Sequence, residues 1–127
     1  KKKTLKGTIF CGAREGYIGT TENYLDKILE VIDTINKDRK EKELLTPPCI
    51  ISEATLIGRS QEENYREKIY QFEFALSPRS KPVSKKTFYD TLIQYVNALG
   101  TQLKQERIYL EFDGKTHVYK KENNNLI

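Results

Sequence analysis

The sequence predicts an α+β fold in which two helices lie on one face of an antiparallel sheet. Three observations lead there. Apolar residues recur at helical spacing in two stretches, 25–35 and 88–103. Around them, shorter stretches are β-branched or alternate apolar with polar residues, as half-buried strands do. The two kinds of stretch follow one another as β-α-β-β-α-β-β, and 127 residues suit one domain.

The first strand is expected over residues 4–11, with Leu5, Ile9 and Cys11 on one face. Thr20 or Thr21 suits the N-cap of the first helix, because a hydroxyl there accepts from an unpaired backbone N–H. Leu25, Ile28, Leu29, Ile32 and Ile35 form that helix's apolar stripe. It runs out in the charged "NKDRKEKE", and the prolines of "TPP" at 46–48 forbid its continuation. Residues 49–57 read as a β-branched second strand, and "GRSQEEN" as a polar connection. In a third strand over 65–76, Tyr70, Phe72, Phe74 and Leu76 alternate with Gln71, Glu73 and Ala75. "SPRSKP" breaks it, and Ser84 is the expected cap of the second helix. Phe88, Leu92, Tyr95, Val96, Leu99 and Leu103 form the second stripe, with Gly100 in the last turn. Residues 107–112 alternate again, Asp113 and Gly114 signal a two-residue hairpin, and "KTHVYKK" returns as a fifth strand. The domain is expected over 1–122, with the polar end 123–127 fraying.

This order of elements resembles the ferredoxin-like sandwich, built of two split β-α-β units. The resemblance implies the strand order 4-1-3-2, with the fifth strand beside the fourth as a C-terminal addition. It carries no function by itself.

Composition narrows the chemistry. The net charge of +4 makes a basic protein able to meet phosphates without requiring it. The two cysteines, Cys11 and Cys49, have no metal-motif spacing and read as buried free thiols. A zinc site or a Ser-His-Asp triad would rest on the single histidine, His117, so neither metal nor cofactor is expected. No apolar run reaches the roughly 20 residues of a membrane span. The expected compartment is the cytoplasm, although a chain that begins at Lys1 and lacks methionine is also compatible with a removed signal peptide.

Two segments resemble the signatures of the RNA-recognition motif: "IFCG" at 9–12 and "KIYQFEF" at 68–74. The resemblance implies Tyr70 and Phe72 on an open sheet face, stacked on bases. That arrangement would turn Gln71 and Glu73 into the core, at a cost of several kcal/mol unless paired. A strand has period two and cannot satisfy both demands. The sequence therefore predicts Tyr70, Phe72 and Phe74 against the helices, and Glu73 with Glu111 on the open face. Phe10, Ile69 and Tyr109 should share that face, and a half-apolar open sheet predicts self-association into a homo-oligomer.

The fold sorts the loops into two ends. One end gathers "GAREGYIGTT", "GRSQEEN" and "GTQLKQE". Gly12, Arg14, Gly16, Tyr17, Gly19, Thr20, Thr21, Arg59 and Ser60 are the candidate ligand-binding residues there. A helix N-terminus favours anions, glycines let the backbone approach a ligand, and arginine suits phosphate or carboxylate. The glycine spacing is neither the dinucleotide fingerprint nor a Walker loop. The opposite end gathers a basic patch of Arg79, Lys81, Lys85 and Lys86. Acid–base chemistry has Glu15, Glu62, Glu63 and Glu111 available, with no pair fixed by spacing and no catalytic residue assigned.

The leading expectation is a non-enzymatic module that binds an anionic small molecule, such as a nucleotide, at the loops after the first and second strands, for sensing or sequestration. The alternatives are nucleic-acid or acidic-partner binding through the basic end, and a small phosphoryl-transfer or hydrolase enzyme at the same loops.

Overall fold

β1 (Leu5–Gly12) occupies the middle of the sheet because every other residue in it is small or apolar and faces the helices. A computed structural model describes residues 4–12, 24–59, 64–76, 83–120 and 125–126. The remaining elements are α1 (Tyr24–Glu41), β2 (Cys49–Arg59), β3 (Asn64–Leu76), α2 (Lys85–Gln102), β4 (Arg107–Phe112), β5 (Lys115–Lys120) and β6 (Asn125–Leu126). The sheet runs β2-β3-β1-β4-β5-β6, and its neighbouring strands pair antiparallel. Inside it stands the expected 4-1-3-2 order with the fifth strand beside the fourth. β6 is an addition: Tyr119 pairs with Leu126 and Lys120 with Asn125, where the sequence predicts a fraying end.

β2 and β3 are longer than their side-chain pattern suggests. Gly58 pairs with Tyr65 and Arg59 with Asn64, inside what reads as a polar connection. The backbone ladder continues regardless of side-chain polarity. β1 covers β3 only from Ile69 to Leu76, so residues 55–59 and 64–68 form a two-stranded arm beyond the edge of β1.

The core lies between the sheet and the helices. Ile9, Phe72, Phe88, Leu92, Leu99, Ile108 and Leu110 are fully buried in it. Each such side chain contributes roughly 1.5–3 kcal/mol by leaving water. Tyr70, Phe72 and Phe74 face this core, and Gln71 and Glu73 face away, as the burial argument requires. In α1 the buried line is Tyr24, Ile28 and Ile32, spaced four apart. Leu25 and Leu29 stand about 100° further round and are exposed, which narrows the expected stripe.

The helix ends follow local rules. Ser84 caps α2, its Oγ accepting from the Thr87 N–H at 3.0 Å. Past the end of α2, Lys104 takes a positive φ of 51°. The Lys104 N–H then donates to the Thr101 carbonyl and the Gln105 N–H to that of Gly100. These are the paired bonds of a Schellman motif. Gly100 itself is required by close approach: a Cβ there would stand 2.5 Å from the Tyr119 ring. At the β4–β5 hairpin, Asp113 and Gly114 both have positive φ, as a type I′ turn demands.

One charge of "NKDRKEKE" is internal. Arg39 is buried, its Nε donating to the Leu45 carbonyl at 2.8 Å and its guanidinium lying over the Tyr95 ring. Burial holds its pKa below the ordinary arginine value.

Candidate functional site

The uncovered face of the sheet is built from the residues that the core does not take. Pairing puts Phe10 opposite both Gln71 and Tyr109, and Thr8 opposite both Glu73 and Glu111. Strand parity places Glu67 and Ile69 on the same face. A cavity of about 510 Å³ opens there. Phe10, Ile69, Tyr109 and Leu56 give it apolar surface. Among the described residues, Glu67, Glu106 and Glu111 supply three carboxylates against the guanidinium of Arg107. The described lining therefore favours a ligand with apolar bulk and positive charge.

The cavity reaches the end of β1, where Cys11, Gly12 and Gln105 join its lining. The Gly12 N–H donates to Oε1 of Gln105 at 3.0 Å. Nε2 of Gln105 donates to the Tyr24 hydroxyl, which donates to the Leu103 carbonyl at 3.4 Å. Burial pushes the Cys11 thiol up to about 12, so it stays protonated at neutral pH. Burial, then the hydrogen bond with Glu53, also raises the Tyr70 hydroxyl above its usual value.

The structure gathers some of the expected site residues and leaves others aside. Phe10, Ile69 and Tyr109, expected on one open face, all line the cavity, and so does Glu111. Of the two loop-site residues that are described, Gly12 and Arg59, Gly12 belongs to that lining. Arg14, Gly16, Tyr17, Gly19, Thr20, Thr21 and Ser60 lie outside the described residues, as do Glu15, Glu62 and Glu63. Arg59 ends β2, paired with Asn64. At the basic end, Arg79 and Lys81 are also outside the described residues. Lys85 meets Asp113, and Lys86 meets Asp90 at 2.9 Å. Among the described residues no helix is long and apolar enough to cross a membrane.

Sequence reasoning misses Glu67, Leu56, Glu106 and Gln105. Glu67 carried a usable signal, since it shares parity with Ile69 and Glu73. Gln105 carried none, because its placement comes from the helix ending before it.

With the geometry in place, the chain can be set beside known proteins. No protein-family model and no curated protein matches it. Its architecture belongs to a class also seen in solved phage proteins. A phage SAM lyase in complex with S-methyl-5'-thioadenosine is similar with a TM-score of 0.63 at 18% identity, over 94% of this chain and 91% of that one. A phage SAM lyase in the apo state gives a TM-score of 0.59 at 18% identity, over 93% and 90%. At this identity the likeness is one of fold.

Proposed function

We propose that the open-face cavity binds S-adenosylmethionine (SAM) or the S-methyl-5'-thioadenosine (MTA) left when it is cleaved, and that the chain acts on SAM as a lyase. The observation that carries this reading is the acid-lined, aromatic cavity on the open face of a fold shared with phage SAM lyases. Its volume of about 510 Å³ sits within the range of roughly 300–1,000 Å³ usual for small-ligand sites. SAM is a sulfonium with an ammonium group and one carboxylate, so it is a net cation, whereas MTA is neutral. Glu67, Glu106 and Glu111 favour the cation, and the rings of Phe10 and Tyr109 offer faces to the sulfonium or the adenine. Cleavage of SAM to MTA breaks the bond from sulfur to the γ-carbon of the methionine chain. Its electron pair stays on sulfur and discharges the sulfonium, while an oxygen of the same molecule's carboxylate closes on that carbon as a five-membered lactone, so no water or outside nucleophile is needed. Apolar surroundings favour a step in which charge disappears. Apart from Gly12 and Arg59, the expected non-enzymatic, anion-binding loop site rests on residues outside those described, and the described lining prefers the opposite charge.

The test is to incubate the protein with SAM, follow MTA by chromatography and titrate both ligands calorimetrically. MTA formation that is lost in a Glu67→Gln/Glu111→Gln double variant supports the reading. Binding without turnover removes the lyase activity and keeps the site. Neither binding nor turnover overturns both.

A second reading is self-association through the same face, where Ile50 is 67% and Tyr109 39% exposed. Sedimentation velocity decides it: a monomer at every concentration tested sinks it, and a dimer or trimer that dissociates on Tyr109→Glu substitution supports it.

A further inference from the structure

We infer that Gln105 is a positioning residue for the cavity, fixing its inner end by holding the last residue of β1 and the first residue of α1 with one side chain. The inference rests on the open-face ligand site proposed above.

The two partners constrain how the amide sits. Gly12 ends β1 and Tyr24 begins α1. The Gly12 backbone N–H can only donate, so the amide must turn Oε1 toward it. That choice leaves Nε2 facing Tyr24, whose hydroxyl accepts and passes its own proton to the Leu103 carbonyl. The direction of every donor in the relay is thus set by one backbone group. Gln105 is only 3% exposed, and a buried amide without partners would be costly. The amide offers a neutral acceptor and a neutral donor from one side chain. The main chain presents it there through the Schellman turn, with the Gln105 N–H on the Gly100 carbonyl at 3.1 Å.

The same side chain lines the cavity, and a Cβ on residue 12 would stand 3.3 Å from its Oε1. The spacing between Gly12 and Gln105 is therefore set by hydrogen bonding and contact together. A neutral amide also holds this end of the cavity without adding to the three carboxylates. Gln105 does not need to touch the reacting atoms to matter, because it fixes the groups that bound the ligand's space.

Two variants test this by calorimetric titration with MTA and SAM, on protein shown folded by circular dichroism at the titration temperature. In Gln105→Leu both hydrogen bonds are lost, and MTA affinity should fall about tenfold, the worth of one good hydrogen bond. In Gln105→Glu a carboxylate still accepts from the Gly12 N–H and can accept from the Tyr24 hydroxyl turned toward it, so both tethers persist and MTA affinity should stay within about twofold of wild type. The added negative charge should raise the preference for SAM over MTA, also about tenfold. A purely structural role would lower Tm in both variants and leave the dissociation constants of the folded protein unchanged, which overturns the inference. If Gln105→Leu fails to fold, Gln105→Glu decides alone, and an unchanged SAM-to-MTA ratio overturns it. Wild-type protein that binds neither ligand removes the site itself and the inference with it. Wild-type binding with unaltered variants removes only the role of Gln105.

Discussion

The two faces of this sheet share one backbone and behave as different materials. Toward the helices, β1, β3 and β4 present Ile9, Phe72 and Leu110, none with measurable exposure. The neighbouring residues on the same strands, Phe10, Gln71 and Tyr109, line up across the other face, beside a row of Glu73, Thr8 and Glu111. The inner face is uniform, and its groups are interchangeable in kind if not in shape. The outer face mixes rings and carboxylates, a combination that contributes little to folding and suits a ligand. The difference teaches that strand parity divides the core from the open face.

Substitution across that divide gives the largest expected contrast. Phe72→Ala should cost about 3–5 kcal/mol by opening a cavity in the core. Tyr109→Ala, on the outer face, should stay below about 1 kcal/mol while weakening any ligand of the open cavity. Equilibrium urea unfolding measures both, and equal losses would erase the distinction between the faces. A smaller effect comes from overfilling the inner side. Gly100→Ala should destabilise by about 1–3 kcal/mol despite alanine's better helix propensity, because the Tyr119 ring occupies the space. A stabilised variant would show that the ring moves aside freely.

The last effect vanishes at neutral pH and is electrostatic, specific to the buried side. Burial raises the Cys11 thiol from 9.0 to about 12, and Cys49 likewise. Below pH 9.0 both folded and unfolded chains keep these protons. Between that value and about 12 the unfolded chain releases them first, so it binds fewer protons and stability falls as pH rises. Unfolding measured from neutral to alkaline pH should show this decline, and Cys11→Ala should keep only the parts owed to Cys49 and to the raised tyrosines Tyr70 and Tyr95. A flat profile would mean that these groups titrate alike in both states.

Much of the fold was legible in the sequence, for physical reasons. Alternation in 70–76 and 107–112 set which side of each strand is buried, and the cost of burying Glu73 decided the orientation of β3. Local chemistry fixed the Ser84 cap and the Asp113–Gly114 turn. Less was legible where neighbours from distant sequence decide. Arg39 reads as solvated charge, yet Leu45, Gln94 and Tyr95 surround it. β6 exists because β5 offers an edge, not because its two residues prefer a strand. The candidate site shows the same division. Phe10, Ile69, Tyr109 and Glu111 were placed by parity, whereas Gln105 depends on a left-handed residue at Lys104 that no pattern announces.

The arm of β2 and β3 gives the cavity an uneven tempo. Leu56 and Glu67 face each other in the arm, where β3 has lost its pairing with β1, while Phe10 and Tyr109 belong to fully paired central strands. A two-stranded ribbon opens more often than the middle of a sheet. Amide hydrogens of residues 64–68 should therefore exchange with solvent well before those of 70–76, dividing one continuous strand into a quick segment and a slow one. A ligand in this cavity would rest on a surface that holds still and lean on a side that breathes.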